Sequence, residues 1–460
     1  MGQLSPSFSV KSATWLWYSK CYCHGVRTTI FLLLLHSVAV GGLGAQTVPD
    51  TPPAALASSL SASSDASAPT EWRSLTLDQA LSLAEKNSPI LAESAATVAK
   101  ASAAVQSARA YKNPEAEFSA GHQSARPITT PGVPGSLWHY SASQTLEIPR
   151  ERALRSRSAE LELSASRHRA SAISLSARAD VKRAFFDVIL RKLQLAQAKT
   201  NLELVEDLRR RVRLEVEVGE KGKLELTRAE AETARASAAV RSADVQLANA
   251  RAIFKSLVGL APEDAVDADG KLADSLQLPA LPEARQQVLS AHPALAETLS
   301  RIDQAHTSVE HEKSLRIPQP TLSGEFERQP DISYFRFGLS IPIPSWDRRK
   351  GPIAEAQAEL TRAEAELRRR RLELNAALER AWDQYQINNQ QVQSLEAGSL
   401  REAYAAVDAA RSAYKFGERG IVEVLDAQRV LQGVRSDLLD AQFARQTALI
   451  DLEELGVSLP

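Results

Sequence analysis

Between residues 151 and 216 apolar side chains recur at steps of three and four, as in Val181, Phe185, Val188 and in Leu202, Val205, Leu208, Val212. No proline or glycine interrupts the stretch. That spacing predicts one long helix with a coiled-coil-like seam. At 1.5 Å per residue it runs roughly 100 Å. A return helix is expected from about Leu224 to Leu257. The arrangement recurs in a second long helix over about 347–415, whose run from about Ile353 holds one internal glycine, Gly398, and a return helix ending near Leu455.

Between each long helix and its return lies a short turn with two glycines three apart. The first turn, 218–222, holds Gly219 and Gly222, and the second, 416–420, holds Gly417 and Gly420. Glycine adopts positive φ freely, so it stops one helix and lets the chain reverse into the next.

Four stretches change period from helical to alternating. They span about 115–124, 136–147, 320–328 and 332–341. In the second, Trp138, Tyr140, Ala142 and Leu146 share one face, while His139, Ser141, Ser143 and Thr145 share the other. Leu322 and Phe326 likewise face away from Thr321, Ser323, Glu325 and Glu327. Period two predicts strands. Pro127, Pro131, Gly132, Pro134 and Gly135 mark a loop between the first two. Short helices precede each strand pair, one opening at Leu75-Thr76-Leu77-Asp78-Gln79-Ala80. Ala291-His292-Pro293-Ala294-Leu295 repeats Asn87-Ser88-Pro89-Ile90-Leu91 in kind. The chain therefore reads as an internal duplication, 73–262 and 281–457, joined by a polar connection over 263–280.

Each strand has one apolar and one polar face, which leaves two arrangements open. The strands are hairpins packed on helices in a soluble protein, or they belong to an outer-membrane barrel with lipid outside and water inside. Four strands are too few to close a barrel, and an open sheet edge is not tolerated in lipid. A membrane arrangement would need several chains, and three would supply twelve strands.

The N-terminal end bears on that choice. Lys20 and Arg27 precede the apolar run Ile30-Phe31-Leu32-Leu33-Leu34-Leu35, and small residues follow up to Ala45. The run is short for a membrane helix and fits a signal peptide over 1–45; the alternative is an anchor left in place. Residues 46–72, rich in Ala, Ser and Pro, read as a disordered linker. Cys21 and Cys23 are the only cysteines, so removing the signal leaves no disulfide and no thiolate metal site.

The 460 residues carry 55 Lys+Arg against 56 Asp+Glu, a formal net charge of −1, which gives no electrostatic reason to expect nucleic acid. Arg368-Arg369-Arg370-Arg371 reads as a solvated helix face. There is no phosphate-binding glycine loop and no nucleophile–base pair, so no catalytic residue, enzyme activity or cofactor is expected. His306 and His311, five apart, are poorly spaced for one helix face, and although Glu310 shares a face with His306 the pair falls short of the three or four ligands of a zinc site, so an exposed helix is expected. His122 and His139 lie in strands and could face a pore without binding anything. Met1 is the only methionine, which excludes a thioether relay. No metal site is assigned.

Several segments resemble the TolC family of outer-membrane efflux channels. They are Leu75 to Ala80, Ala184-Phe185-Phe186-Asp187, Gly338 to Pro344, and Tyr414-Lys415-Phe416-Gly417-Glu418-Arg419-Gly420 through Leu425-Asp426-Ala427-Gln428. Gln144-Thr145-Leu146-Glu147-Ile148-Pro149 and Trp346 to Ala356 are most similar to its CzcC/CusC-like heavy-metal branch. The resemblance implies a mainly α fold with a small β part. Long antiparallel helical hairpins would form a periplasmic α-barrel, and four strands per chain would enter a trimeric twelve-stranded transmembrane β-barrel. It implies a homotrimer in outer-membrane lipid, a periplasmic membrane-fusion adaptor, and an inner-membrane pump of RND type. It places a periplasmic gate on Glu225, Tyr414 and Arg419, with an inner acidic ring on Glu423 and Asp426. Glu225 stands where the best-known member of the family has Asp. The implied function is a passive export duct, for heavy-metal cations in this branch. Drug or protein export through the same channel, and a soluble periplasmic coiled-coil scaffold, are the competing readings.

Overall fold

The structure is a computed structural model and describes residues 72–124, 133–272 and 274–459. The expected signal peptide over 1–45, all of the 46–72 linker except Trp72, and Pro127, Pro131 and Gly132 of the loop lie outside the described residues.

Helix α1 (Leu77–Asn87) opens at a capping box. Thr76 Oγ1 accepts from the Gln79 N–H, and Gln79 Oε1 accepts from the Thr76 N–H. Two orphan donors of the first turn are thereby satisfied. Helix α2 (Pro89–Arg109) starts on a proline, whose missing N–H costs nothing there. The sequence predicts α2 to about Lys112, but it ends at Arg109. Asn113 precedes a proline, which disfavours helical backbone. The Arg155 guanidinium also takes the carbonyls of Ala108 and Ala110 at 2.9 Å each.

Helix α3 (Pro149–Glu217) runs 69 residues without a break, about 100 Å, and α4 (Lys223–Val258) returns beside it. Helices α5 (Leu281–Ala291), α6 (Pro293–Ser314), α7 (Lys350–Ser394), α8 (Leu400–Lys415) and α9 (Ile421–Glu454) follow. The single helix expected over 347–415 is corrected twice. Asp347 accepts from the Arg349 N–H at 2.7 Å and Arg349 sits at φ 54°, so the chain is still turning and the helix opens only at Lys350. A π turn at Leu395–Ser399, around Gly398, then separates α7 from α8.

The strands are β1 (Arg73–Leu75), β2 (Glu115–Gln123), β3 (Gly135–Thr145), β4 (Val266–Ala268), β5 (Thr321–Arg328) and β6 (Ser333–Ser340). Strands β2-β3-β5-β6 form one antiparallel sheet in that order. Strands β1 and β4 pair in parallel. Neither was expected, and β4 lies within the stretch read as a polar connection.

Where β1, β4, α1 and α4 meet the middle of α3, Leu75, Val188, Phe254, Val258 and Ala268 are buried together. Phe185 meets Phe186 and Phe254 edge-on. A second cluster joins Val288 of α5, Leu378 and Tyr385 of α7, and Leu449 and Leu452 of α9. Both cores lie along the helices, away from the four-stranded sheet and from the hairpin turns.

Candidate functional site

Strand alternation gives the four-stranded sheet two unlike faces. Phe118, Trp138, Tyr140, Phe326, Phe335 and Phe337 fall on one of them. All are exposed, Phe337 to 81%. Their rings touch one another: Phe118 meets Tyr140 at 5.0 Å, and Phe335 meets Phe337 at 4.6 Å. On the opposite face His139, Ser141, Ser143, Glu325 and Glu327 are half-buried. A soluble sheet packed on a core would show the reverse. Among the described residues, strands β2 and β6 are edges, each paired on one side only. The sequence reading allows His122 and His139 to face one pore, but the register separates them. His122 falls on the Phe118 and Ala120 face, and His139 on the polar one.

At the junction of sheet and helices, the Glu147 side chain is only 2% exposed and accepts from Arg155 Nη1 at 2.5 Å. The hydrogen bond from Arg155, with that guanidinium's charge, holds the Glu147 carboxyl below the usual carboxylate range.

The far ends of the hairpins form the second region. Helices α3 and α4 reverse at Gly219, φ 83°, and α8 and α9 at Gly417, φ 75°. Nothing lies within 4 Å of a Cβ placed on either, so backbone conformation alone requires glycine there. Gly222 and Gly420 are the extended residues that open α4 and α9. Val212 of α3, Ala229 of α4, and Ile421 and Leu425 of α9 are buried together, with Leu226 and Tyr414 against them. The two hairpins of one chain are thereby joined at their tips.

Polar contacts reinforce that joint. The Tyr414 hydroxyl donates to the Glu215 carboxylate, and Lys221 Nζ lies 5.2 Å from the centre of the Tyr414 ring. Burial, then the Glu215 bond, then the charges of Glu215 and Glu225 push the Tyr414 hydroxyl above its ordinary value. Arg429 of α9 reaches Glu232 of α4 at 2.6 Å and Asp426 at 3.0 Å. Arg419, in the turn before α9, approaches Glu423 of that helix at 4.0 Å, with both side chains exposed. Glu225 Oε2 is buried with no hydrogen-bond partner among the described residues. A Cβ on Gly420 would lie 3.5 Å from Glu423 Oε2 and 3.9 Å from Glu225 Oε1.

Of the five expected gate residues, the structure therefore brings Glu225 and Glu423 to Gly420. It joins Tyr414 to Glu215 and Asp426 to Arg429, and Arg419 forms no ion pair with Glu225 within the chain. Glu215, Glu232 and Arg429 were missed. The signal for Glu215 was its position: like Tyr414, it occupies the last turn before a glycine reversal, so hairpins lying side by side bring the two level.

Three of the residues set aside earlier have plain partners. Glu310 bonds Lys313 at 2.8 Å and Arg150 at 3.3 Å. Arg369 and Arg370 pair with Glu373 on an exposed helix face. No helix among the described residues is long and apolar enough to cross a membrane, which says nothing of a β-barrel.

The family model described as "Outer membrane efflux protein" matches residues 80–260 and 284–456. The chain belongs to this family: it is an outer-membrane efflux channel protein of the TolC type, not an enzyme. It is 26% identical to the cobalt-zinc-cadmium resistance protein CzcC of Cupriavidus metallidurans, over 78% of this chain and 84% of that protein. A crystal structure of CusC superposes with a TM-score of 0.72 at 19% identity, over 85% of this chain and 94% of the other. The CmeC outer membrane channel of Campylobacter jejuni gives a TM-score of 0.73 at 16% identity, over 82% and 85%.

Proposed function

We propose that the chain is the outer-membrane duct of a tripartite exporter of heavy-metal cations of the cobalt, zinc and cadmium type. One observation carries the channel reading: the aromatic face of the four-stranded sheet is exposed, and both sheet edges lack a partner among the described residues. Three copies joined from β2 to β6 close twelve strands. Closure leaves no unpaired edge in lipid, turns the aromatic face to the acyl chains and encloses the polar face around water. The hairpins of three copies continue the duct as a periplasmic cylinder. The recurring order of two short helices, two strands and a long hairpin supports descent by internal duplication.

In this reading the turns at Gly219, Gly222, Gly417 and Gly420 ring the periplasmic mouth. Glu225, Tyr414 and Arg419 act in closure, and three copies of Glu423 and Asp426 form an acidic constriction that attracts cations. A membrane-fusion adaptor docks at the tips and opens them by binding the open form better than the closed one. Energy comes from an inner-membrane pump of RND type. The likeness to CzcC supports metal as cargo.

The test is a deletion strain challenged with zinc, cobalt and cadmium, and separately with dyes and drugs. Increased sensitivity to the metals is expected. Sensitivity confined to dyes and drugs overturns the cargo. Fractionation tests the duct itself, for which a heat-modifiable trimer in the outer membrane is expected and a soluble periplasmic monomer is fatal.

A further inference from the structure

The polar face of the sheet gathers three side chains of metal-binding type. His139 of β3 stands opposite Glu327 of β5, and Glu325 lies two residues away on the same face. One donor atom from each lies within 4.8 Å of the other two. His139 Nδ1 and Glu325 Oε1 are 3.5 Å apart. Two ligands of one tetrahedral ion, with bonds of about 2.1 Å, lie about 3.4 Å apart. We propose that His139, Glu325 and Glu327 bind one zinc or cobalt(II) ion per chain, with water completing its coordination.

The donor set fits that choice. One imidazole nitrogen and carboxylate oxygens suit zinc and cobalt(II), whereas a soft ion such as copper(I) selects thiolate or thioether, which this site lacks. Two carboxylates offset the charge of a divalent cation. Glu327 is also held in place from outside. The Tyr334 hydroxyl donates to Glu327 Oε2, and Gln329 Nε2 donates to Oε1 at 2.8 Å. Each oxygen keeps a lone pair for an ion, and such outer hydrogen bonds fix a ligand's orientation.

Arg336 is the competing cation. Its Nη1 lies 3.6 Å from Glu325 Oε2, beyond hydrogen-bond distance, on an exposed side chain. It therefore leaves Glu325 Oε1, the atom facing His139, to the metal. In the proposed trimer, on which only this placement rests, three such sites face the lumen. A site on a conduction path must also release its ion, and three protein ligands on an open face suit that.

The test is titration of the tag-free full chain, purified from outer membranes in detergent, with cobalt(II) followed by visible absorption. We expect d–d bands saturating at one cobalt per chain and displaced by zinc. H139A and E325Q should weaken binding at least tenfold, and Y334F about tenfold, through the freed Glu327. R336Q should bind as tightly as wild type or more so. Each variant is first checked for the heat-modifiable oligomer, and E327Q replaces any that loses it. Absence of cobalt bands in the wild type, or unchanged affinity in H139A, overturns the site. The outcome is separable from the cargo: cobalt binding by a protein whose deletion leaves metal sensitivity unchanged refutes metal export and upholds the site. A metal-sensitive deletion with no cobalt binding refutes the site alone.

Discussion

Replacing Tyr414 with Phe removes a single oxygen from the joint between the two hairpin tips. The ring keeps its place against the Val212, Ile421 and Leu425 cluster, so apolar packing is preserved. What disappears is the hydrogen bond donated to the Glu215 carboxylate. A bond to a charged partner contributes about 1.5–3 kcal/mol. The tip is partly open to solvent, which screens the interaction, so the lower end, about 1.5 kcal/mol, is the expected loss. That is about tenfold in the equilibrium between joined and parted tips. Burial and the Glu215 bond raise the tyrosine above its ordinary value. A group raised in the folded state contributes fully below its unfolded value, about 10 for tyrosine, and loses that contribution only as pH rises through the folded one. The tyrosine side of the bond is therefore intact at neutral pH. The assay is single-channel recording of wild type and Y414F in planar bilayers at pH 7. We expect about a tenfold larger open fraction with the same open-state conductance. A double-mutant cycle with E215A should return a coupling of about 1–2 kcal/mol. An open fraction and thermal midpoint equal to wild type, with no coupling to Glu215, would refute the view that this bond holds the tips.

Three further outcomes follow from the packing. R155A leaves Glu147 buried without its partner and frees two carbonyls, which should cost about 3–5 kcal/mol and lower the urea midpoint of the purified protein. Because the Glu147 carboxyl is depressed from its ordinary 4.5, the pair contributes above that value and is lost as pH falls through the depressed one. The gap between R155A and wild type should therefore narrow in acid. G259A should abolish outer-membrane yield: at φ 75° its Cβ would lie 2.5 Å from the Asn87 carbonyl oxygen, driving α1 off α4. G417A, with the same φ and open space around it, should fold and lose only about 1–2 kcal/mol of thermal stability.

The parts of this fold that were legible in sequence are those where one element carries its own signal. Val181, Phe185 and Val188 set the helical period of α3, and all three are buried. Alternation sorted Trp138 and Tyr140 from His139 and Ser141, and the register keeps them on opposite faces. Strands β1 and β4 have three residues each, too few for a period, and exist because Leu75 and Ala268 reach a shared core. The π turn at Gly398 was hidden because an inserted residue leaves composition unchanged. His139 was visible as a strand histidine, but its partners were not. Only the β3–β5 pairing, between strands more than a hundred residues apart in the chain, brings Glu325 and Glu327 to it.

The tip shows the same limit and adds a point about asymmetry. The two glycine turns look alike in sequence, and Glu225 and Glu423 each stand six residues after the left-handed glycine of their own turn. Equivalent hairpins would meet through equivalent residues. Instead, Tyr414 of the second hairpin donates to Glu215 of the first, and Arg429 of the second reaches Glu232 of the first. Val216 occupies the first-hairpin position that matches Tyr414, so no reciprocal bond can form. Both donors of the joint therefore belong to one hairpin and both acceptors to the other. A change that removes Tyr414 and Arg429 should free the α8–α9 tip and leave the α3–α4 tip in place, since α3 and α4 keep their own contacts along their length.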